Sequence, residues 1–267
     1  MENVKDINFK KSLGQNFLFD LNLLNAIATD GGVTKDDVVL EIGAGAGTLT
    51  KVLCERAKKV LSFEIDKTLK ERLDIVEKEH SNVTIFYEDF MQADLSKILT
   101  KNTKFKVVAN IPYYITTPII FKLVENLQKF SSILVLVQKE VAERFASKSN
   151  TKDYGITSVI LQSLFDVTMP RVVKKECFTP SPKVDSALCL LVPHNRYKID
   201  DFEGFRNFVH TSFSMRRKTL TNNLKKLYEK DKVLQVVKEF GYPESVRPEQ
   251  IDVAHFVEMF KKLKKLG

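Results

Sequence analysis

Five short, largely apolar runs, at 38–42, 60–65, 83–87, 106–109 and 133–137, alternate with segments whose apolar residues recur at helical spacing. The helical segments fall at 48–57, 67–77, 117–126 and 139–146, after a first one in which Leu21, Leu24, Ile27 and Ala28 are spaced for one face behind Asp20 as N-cap. A largely apolar run bounded by turn residues predicts a strand buried on both faces, which is how parallel strands sit in a sheet. Strand and helix in alternation predict a doubly wound α/β sheet with right-handed crossovers.

The pattern changes beyond residue 150. An apolar segment at 156–164 leads to a strand-like stretch at 168–173, a turn at Pro180-Ser181-Pro182, and a further strand at 186–192. Two strands with no helix between them predict an antiparallel pair at the sheet edge. After Pro193-His194 strands cease. Phe205, Phe208, Val209 and Phe213, then Leu220, Leu224 and Leu227, then Ile251, Phe256, Met259, Phe260 and Leu263 keep helical spacing. The expected architecture is a Rossmann-like, mostly parallel sheet with an antiparallel edge strand at 1–194, followed by a small all-α domain at 195–267.

Charge separates the same two parts. Residues 195–267 hold sixteen Lys and Arg against ten Asp and Glu, so +6 of the net +8 lies there. A near-neutral body with a basic appendage fits a partner that carries phosphates. Other classes are disfavoured. Cys54, Cys177 and Cys189 are odd in number and form no C-x-x-C pair, so neither a disulfide framework nor a zinc site is expected, and His80, His194, His210 and His255 lack ligand spacing. The first ten residues include Glu2 and Asp6 and no apolar run, which argues against a signal peptide, and no stretch is long enough in apolar residues to span a bilayer. A reducing, cytoplasmic setting and no metal site follow as the expectation.

Glu41-Ile42-Gly43-Ala44-Gly45-Ala46-Gly47 closes the first strand and opens a helix. Glycines at such a turn let the backbone approach a ligand and present its N–H groups. The spacing fits a dinucleotide fingerprint poorly, and with Glu41 ahead of it resembles the first motif of Rossmann-like S-adenosylmethionine methyltransferases. Glu64 ends the second strand, where a carboxylate can accept from both hydroxyls of a ribose, and Asp89 follows the third, where it can accept from an adenine amine. Asp66 competes with Glu64 for the first role, and Glu88 with Asp89 for the second.

The most specific stretch is Asn110-Ile111-Pro112-Tyr113, at the exit of the fourth strand. The exocyclic amine of adenine is a poor nucleophile because its lone pair is delocalised into the ring. If the Asn110 side-chain oxygen and the Ile111 carbonyl accept its hydrogens, the nitrogen is drawn toward tetrahedral geometry and the pair is freed. Pro112 has no N–H and a fixed φ, which helps to hold that carbonyl. Tyr113 would stack on the base.

Taken with Leu13-Gly14-Gln15-Asn16-Phe17-Leu18, Phe63-Glu64-Ile65-Asp66, Gln138-Lys139-Glu140-Val141-Ala142, Phe178-Thr179-Pro180-Ser181-Pro182-Lys183-Val184-Asp185-Ser186 and Arg216-Arg217-Lys218-Thr219-Leu220 with Asn222-Asn223-Leu224, these motifs run from one end of the chain to the other. In order and spacing they resemble the ribosomal RNA adenine N6,N6-dimethyltransferase family, and most closely its small-subunit branch, the KsgA family. The resemblance implies S-adenosyl-L-methionine as cofactor. It also implies dimethylation of two adjacent adenosines near the 3′ end of 16S rRNA, within the immature small ribosomal subunit, by a monomer with a part in subunit maturation.

By the same resemblance Asn16 and Leu18 close over the cofactor, Gly43 and Gly45 approach its methionine end, and Glu64 and Asp89 take the ribose and adenine. Asn110 borders both cofactor and target base. Phe178 covers the face of the base opposite Tyr113, and Arg216, Arg217 and Lys218 contact RNA phosphates. Ala44, Ala46 and Tyr114 depart from the family's usual residues and bear on the shape of the pockets. The nearest alternative is the related macrolide-resistance methyltransferase of large-subunit rRNA, against which the Arg-Arg-Lys-Thr-Leu and Asn-Asn-Leu run argues. A second alternative is an assembly factor that works mainly by binding immature subunits.

Overall fold

The computed structural model describes residues 9–10, 13–100 and 103–266. The first eight residues, on which the reading against a signal peptide mostly rests, lie outside the described residues. In chain order the strands are β1 (Phe17–Leu18), β2 (Val38–Ile42), β3 (Lys59–Phe63), β4 (Val83–Phe86), β5 (Phe105–Asn110), β6 (Phe130–Gln138), β7 (Phe165–Val173), β8 (Phe178–Thr179) and β9 (Ser186–Pro193).

Seven of them form one sheet in the order β4-β3-β2-β5-β6-β9-β7. The pairs β2–β3, β3–β4, β2–β5 and β5–β6 are parallel and β6–β9 is antiparallel. From β2 the chain winds outward to β3 and β4, then returns to lay β5 on the other side of β2. The topological switch point therefore lies between the carboxyl ends of β2 and β5, where open α/β sheets bind ligands. Ile42 and Asn110 end those two strands.

Burial explains why the runs read as largely apolar. Val39, Leu40, Val107, Val108 and Val135 are fully buried, with the helices Leu21–Asp30 and Thr48–Arg56 packing Leu24, Ile27, Ala28, Leu53 and Cys54 into the same core as Val39, Val108 and Leu134. Among the described residues no helix is long and apolar enough to cross a membrane.

The sheet departs from expectation at two places, both for physical reasons. The strand expected over 60–65 stops at Phe63 because the Gly43 and Ala44 amides both donate to the Phe63 carbonyl, at 2.8 and 3.0 Å. Glu64 N still donates to the Phe86 carbonyl at 2.9 Å, and the chain leaves the sheet over Glu64, Ile65 and Asp66. The antiparallel pair is also not simply added at the edge. β9, with Ala187, Leu188, Cys189 and Leu191 fully buried, lies inside against β6, and β7 takes the outer position. The alternating exposure of β7 and its Pro170 suit an edge, since a strand there needs neither two buried faces nor a complete hydrogen-bond ladder.

The chain divides into two compact units, one of Met1–Ala142 with Thr168–Val192 and the other of Glu143–Val167 with Pro193–Gly267. One join falls close to the 194/195 boundary read from the sequence; the helical unit additionally takes 143–167. The helix Ile156–Gln162 carries Val159, Ile160 and Leu161, all fully buried, and packs on the helices Phe202–Ser212 and Val253–Leu266. Tyr154 donates from its hydroxyl to the Ile251 carbonyl at 2.9 Å, and Asn150 N donates to Glu249 O at 2.8 Å. Phe205, Phe208, Phe256 and Phe260 form the aromatic centre of this unit, with ring centroids 5.6 to 6.2 Å apart.

Candidate active site

A cavity at the switch point is lined by the glycine turn, by Glu64 and Ile65, by Glu88 to Met91, by Asn110 to Ile115 and by residues 13–18. The turn is built by left-handed backbone: φ is +83° at Gly43, +57° at Gly45 and +80° at Gly47. At Gly45 glycine is required twice over, because a Cβ there would stand 2.6 Å from the Phe17 ring.

Glu64 is 6% exposed and is bound from both sides. Its Oε2 accepts from Gly45 N and its Oε1 from Asp66 N, each at 2.7 Å. Burial raises its pKa above the usual carboxylate value, while these N–H donors pull against the rise. Each oxygen keeps a further lone pair for a ligand hydroxyl. Asp66, the competitor for this role, is committed elsewhere. It accepts from Lys10 Nζ at 2.6 Å, Gln15 Nε2 at 2.7 Å and Thr68 Oγ1 at 2.6 Å. Burial alone would raise its pKa, but the bonds from Lys10, Thr68 and Gln15 outweigh it and hold the group at about 2.

Asp89 and Glu88 both line the cavity, so the structure leaves them side by side. Asp89 is the less exposed, and its Oδ1 accepts from Met91 N at 2.8 Å. Ile65, about half exposed beyond β3, and Phe90 give this end an apolar wall suited to a flat ring. Sequence reading did not assign them a role; a large aliphatic residue stranded between two acids at a strand end was the available signal.

Residues 13–18 lie across the cavity as a strap. The Leu18 carbonyl accepts from Thr48 Oγ1 at 2.8 Å, Gln15 is tied to Asp66, and Phe17 packs on Gly45. β1 pairs antiparallel with β8, matching Leu18 with Phe178 and Phe17 with Thr179. Tyr114, 63% exposed, closes against the other end, since a Cβ on Gly14 would lie 3.0 Å from its ring.

Asn110 stands where the strap meets the strand end. Its Nδ2 donates to the Asn16 carbonyl at 2.9 Å, which leaves Oδ1 as the amide's acceptor. Ile111 is buried, and Pro112 has φ −60°. Tyr113 lines the cavity, its carbonyl accepting from Thr116 Oγ1 and its hydroxyl 2.5 Å from Ser186 Oγ. Burial pushes the Tyr113 phenol upward, so it is neutral in use.

The structure thus brings together Asn16, Leu18, Gly43, Gly45, Glu64, Asp89 and Asn110 to Tyr113. Phe178 is not among the lining residues. It is 3% exposed and packs in the core with Leu18, Val173 and Leu188. Arg216, Arg217 and Lys218 belong to the other unit, on the exposed loop between the helices Phe202–Ser212 and Leu220–Leu224. That loop is held from beneath by Asn223, fully buried, whose Nδ2 donates to the carbonyls of Ser212 at 2.6 Å and Met215 at 3.3 Å.

Glu41 is a second buried glutamate, and it does not line the cavity. Its Oε2 accepts from Thr50 Oγ1 and Ser62 Oγ, each at 2.7 Å, and Oε1 has no partner. Burial pushes its pKa up to about 7 against the pull of these two hydroxyls, with Glu64 adding to the rise.

A family model described as ribosomal RNA adenine dimethylase matches residues 6–265 of the chain. A protein named ribosomal RNA small subunit methyltransferase A, from Ligilactobacillus salivarius, is 41% identical over 98% of this chain and 92% of its own. Among solved structures, a dimethyladenosine transferase from Plasmodium falciparum matches with a TM-score of 0.82 at 26% identity, covering 93% of this chain and 98% of that one. The 23S rRNA methyltransferase ErmE matches with a TM-score of 0.74 at 27% identity, covering 93% and 100%.

Proposed function

The chain belongs to the ribosomal RNA adenine dimethylase family, and from that premise we propose how its cavity dimethylates the N6 amine of adenosine in small-subunit rRNA. S-adenosyl-L-methionine is the cofactor, and when bound it supplies an electrophilic methyl group on a sulfonium. The residues present fit it. Gly43 and Gly45 open a backbone cradle in left-handed conformation, and at Gly45 the Phe17 ring stands too close for any larger residue. Glu64 offers two oxygens to the ribose, and Asp89, beside Ile65 and Phe90, offers one to the adenine. Asn16 and Leu18 close the strap above.

The observation that carries the catalytic assignment is the bond from Asn110 Nδ2 to the Asn16 carbonyl. Once the amide nitrogen is committed to the strap, Oδ1 is left as the amide's acceptor. Oδ1 and the Ile111 carbonyl then take the two hydrogens of the target amine, and the nitrogen lone pair is freed from the ring. No side chain need act as base, because the ammonium formed on transfer is acidic enough to pass its proton to water. A monomethylated amine has one hydrogen left for the two acceptors. The second transfer therefore leans more on stacking by Tyr113, which holds the base when hydrogen bonding is halved. Phe178, buried in the core behind the strap, would cover the other face of the base.

We infer that the targets are two adjacent adenosines near the 3′ end of 16S rRNA in the immature small subunit, met in the cytoplasm by a monomer. The helical unit, with Arg216, Arg217 and Lys218 on one exposed loop, would hold RNA phosphates. The test offers labelled S-adenosyl-L-methionine to unmethylated small subunits, to large subunits and to DNA, and then maps the modified bases. N6,N6-dimethyladenine confined to the small subunit is expected. Label only in large-subunit RNA would assign the chain to the reaction named for ErmE instead.

A further inference from the structure

Ser186 is the first residue of β9, fully buried, and its hydroxyl lies 2.5 Å from that of Tyr113. The proposed reaction does not itself use it. The sheet makes this contact a rigid one. Asn110 is in register with Leu136 of β6, and Leu136 with Leu188 of β9. β9 runs antiparallel, so Ser186 lies two residues further toward the site than the level of Asn110, paired with Gln138. Tyr113, three residues beyond Asn110, reaches across that same end. Asp185 fixes the start of β9 more firmly still: its carbonyl accepts from Lys139 N at 3.0 Å, its Oδ1 from Lys175 N at 3.0 Å, and its Oδ2 lies 3.1 Å from Lys174 Nζ.

Tyr113 is therefore held at both ends. Thr116 Oγ1 donates to its carbonyl at 3.2 Å, and Ser186 meets its hydroxyl. A stacked ring fixed at Cα alone can swing about χ1 and χ2; one pinned at the phenol cannot. We propose that Ser186 is the positioning residue that fixes the Tyr113 ring relative to the Asn110 amide, and that it matters most for the second methyl transfer to each adenosine. This rests on the reading of the cavity as an adenine N6-dimethylation site. The first transfer has two hydrogens for two acceptors, which orient the amine by themselves. The second has one, so the angle and distance of the stacking ring decide whether the lone pair is aimed.

The experiment measures single-turnover rates on unmethylated small subunits, together with the ratio of N6-monomethyl to N6,N6-dimethyl adenine in digested RNA. It compares wild type, Ser186→Ala, Ser186→Thr, Tyr113→Phe and the Ser186→Ala/Tyr113→Phe pair. Breaking one such hydrogen bond is expected to slow the second transfer about three- to tenfold, and the first by less. Monomethyl product should accumulate, cofactor affinity and melting temperature should hold, and the Thr variant should recover dimethylation. The double variant should be no worse than either single one, because both remove the same interaction. A wild-type product ratio in Ser186→Ala, or defects that add in the double variant, would overturn the proposal. So would a defect that merely follows cofactor affinity or melting temperature. Tyr113→Phe keeps the test decisive if the buried Ser186 variants fold poorly. A wild-type enzyme that leaves the small subunit unlabelled would instead remove the reading beneath it.

Discussion

The turn from Asn110 to Tyr113 and the loop from Ser214 to Lys218 are both short connections after a regular element, and both carry the residues expected to touch RNA. They are built in opposite ways. In the first, the functional side chains are themselves tied down: the Asn110 amide to Asn16, and the Tyr113 hydroxyl to Ser186. In the second, the tie lies beneath the functional residues. Asn223 fixes the backbone at Ser212 and Met215, Arg216 reaches the Lys152 carbonyl at 3.2 Å, and among the described residues no side-chain hydrogen bond or ion pair fixes Arg217 or Lys218. A reaction needs atoms held to fractions of an ångström, whereas a grip on phosphates needs charge that can adjust. Substitutions in the two regions should therefore fail differently.

The largest effect is expected at Asn110. Asn110→Ala removes the acceptor and leaves the Asn16 carbonyl without its partner. The methyl-transfer rate should fall by about 10²–10³-fold, roughly 3–4 kcal/mol of barrier, with RNA affinity kept. Single-turnover rates beside an RNA-binding titration check this. A rate near wild type would break the comparison at its catalytic end.

Glu41 tests how far buried polar order beneath the cavity bears on stability. Its folded pKa, about 7, lies above the ordinary value of 4.5. The folded state therefore binds more protons than the unfolded state between those values. The stabilisation from the protonated group is complete below about pH 4.5 and is lost as pH rises to about 7, on the order of 3 kcal/mol in all. Urea titrations should show part of that decline in wild type and little of it in Glu41→Gln, which stays neutral. Equal slopes in both proteins would mean that Glu41 titrates as an exposed acid does.

Glu64→Gln ranks next. One carboxylate oxygen becomes a donor facing either the Gly45 or the Asp66 N–H, so the loop and the proposed ribose contact suffer together. Cofactor affinity should fall about 10- to 100-fold, roughly 1.5–3 kcal/mol, by calorimetry. Asp66→Asn should act through the strap instead, loosening Lys10 and Gln15 with a smaller drop in affinity.

What can be read in advance follows from range. The alternation of strand and helix, the glycine turn and the acids at strand ends are local patterns, and each is legible because the backbone period or φ requires it. The partners are not. Ser186 meets Tyr113 across 73 residues, and Asn16 meets Asn110 across 94; only the sheet brings them together. Asp66 and Glu64 are equivalent in sequence, and only the fold shows Lys10, Gln15 and Thr68 occupying one of them. The motif around Phe178 suggests a wall, yet its pairing with Leu18 draws it into the core. The stretch 143–167 precedes the last strands and so reads as part of the sheet unit, while its burial in the helical unit depends on Tyr154, Val159 and Ile160 finding partners more than forty residues away.

The smallest effect is expected on the loop. Arg217→Ala or Lys218→Ala removes one exposed charge that nothing else in the protein depends on, so folding and the rate at saturating RNA should not change. Affinity should fall by about 1 kcal/mol or less at moderate salt. The sharper signature is in the salt dependence: taking away one of the cations proposed to bind phosphate should flatten the plot of log affinity against log salt by about 0.7 to 0.9. Arg216→Ala, which also releases the Lys152 carbonyl, should do the same with a slightly larger drop in affinity. Asn223→Ala separates charge from scaffold. It keeps all three cations yet removes the two bonds that shape the loop, so it should weaken binding while leaving the salt slope nearly intact. If it flattened the slope as much as Arg217→Ala does, the loop would be a held site like the turn at Asn110, and the contrast between the two regions would fail.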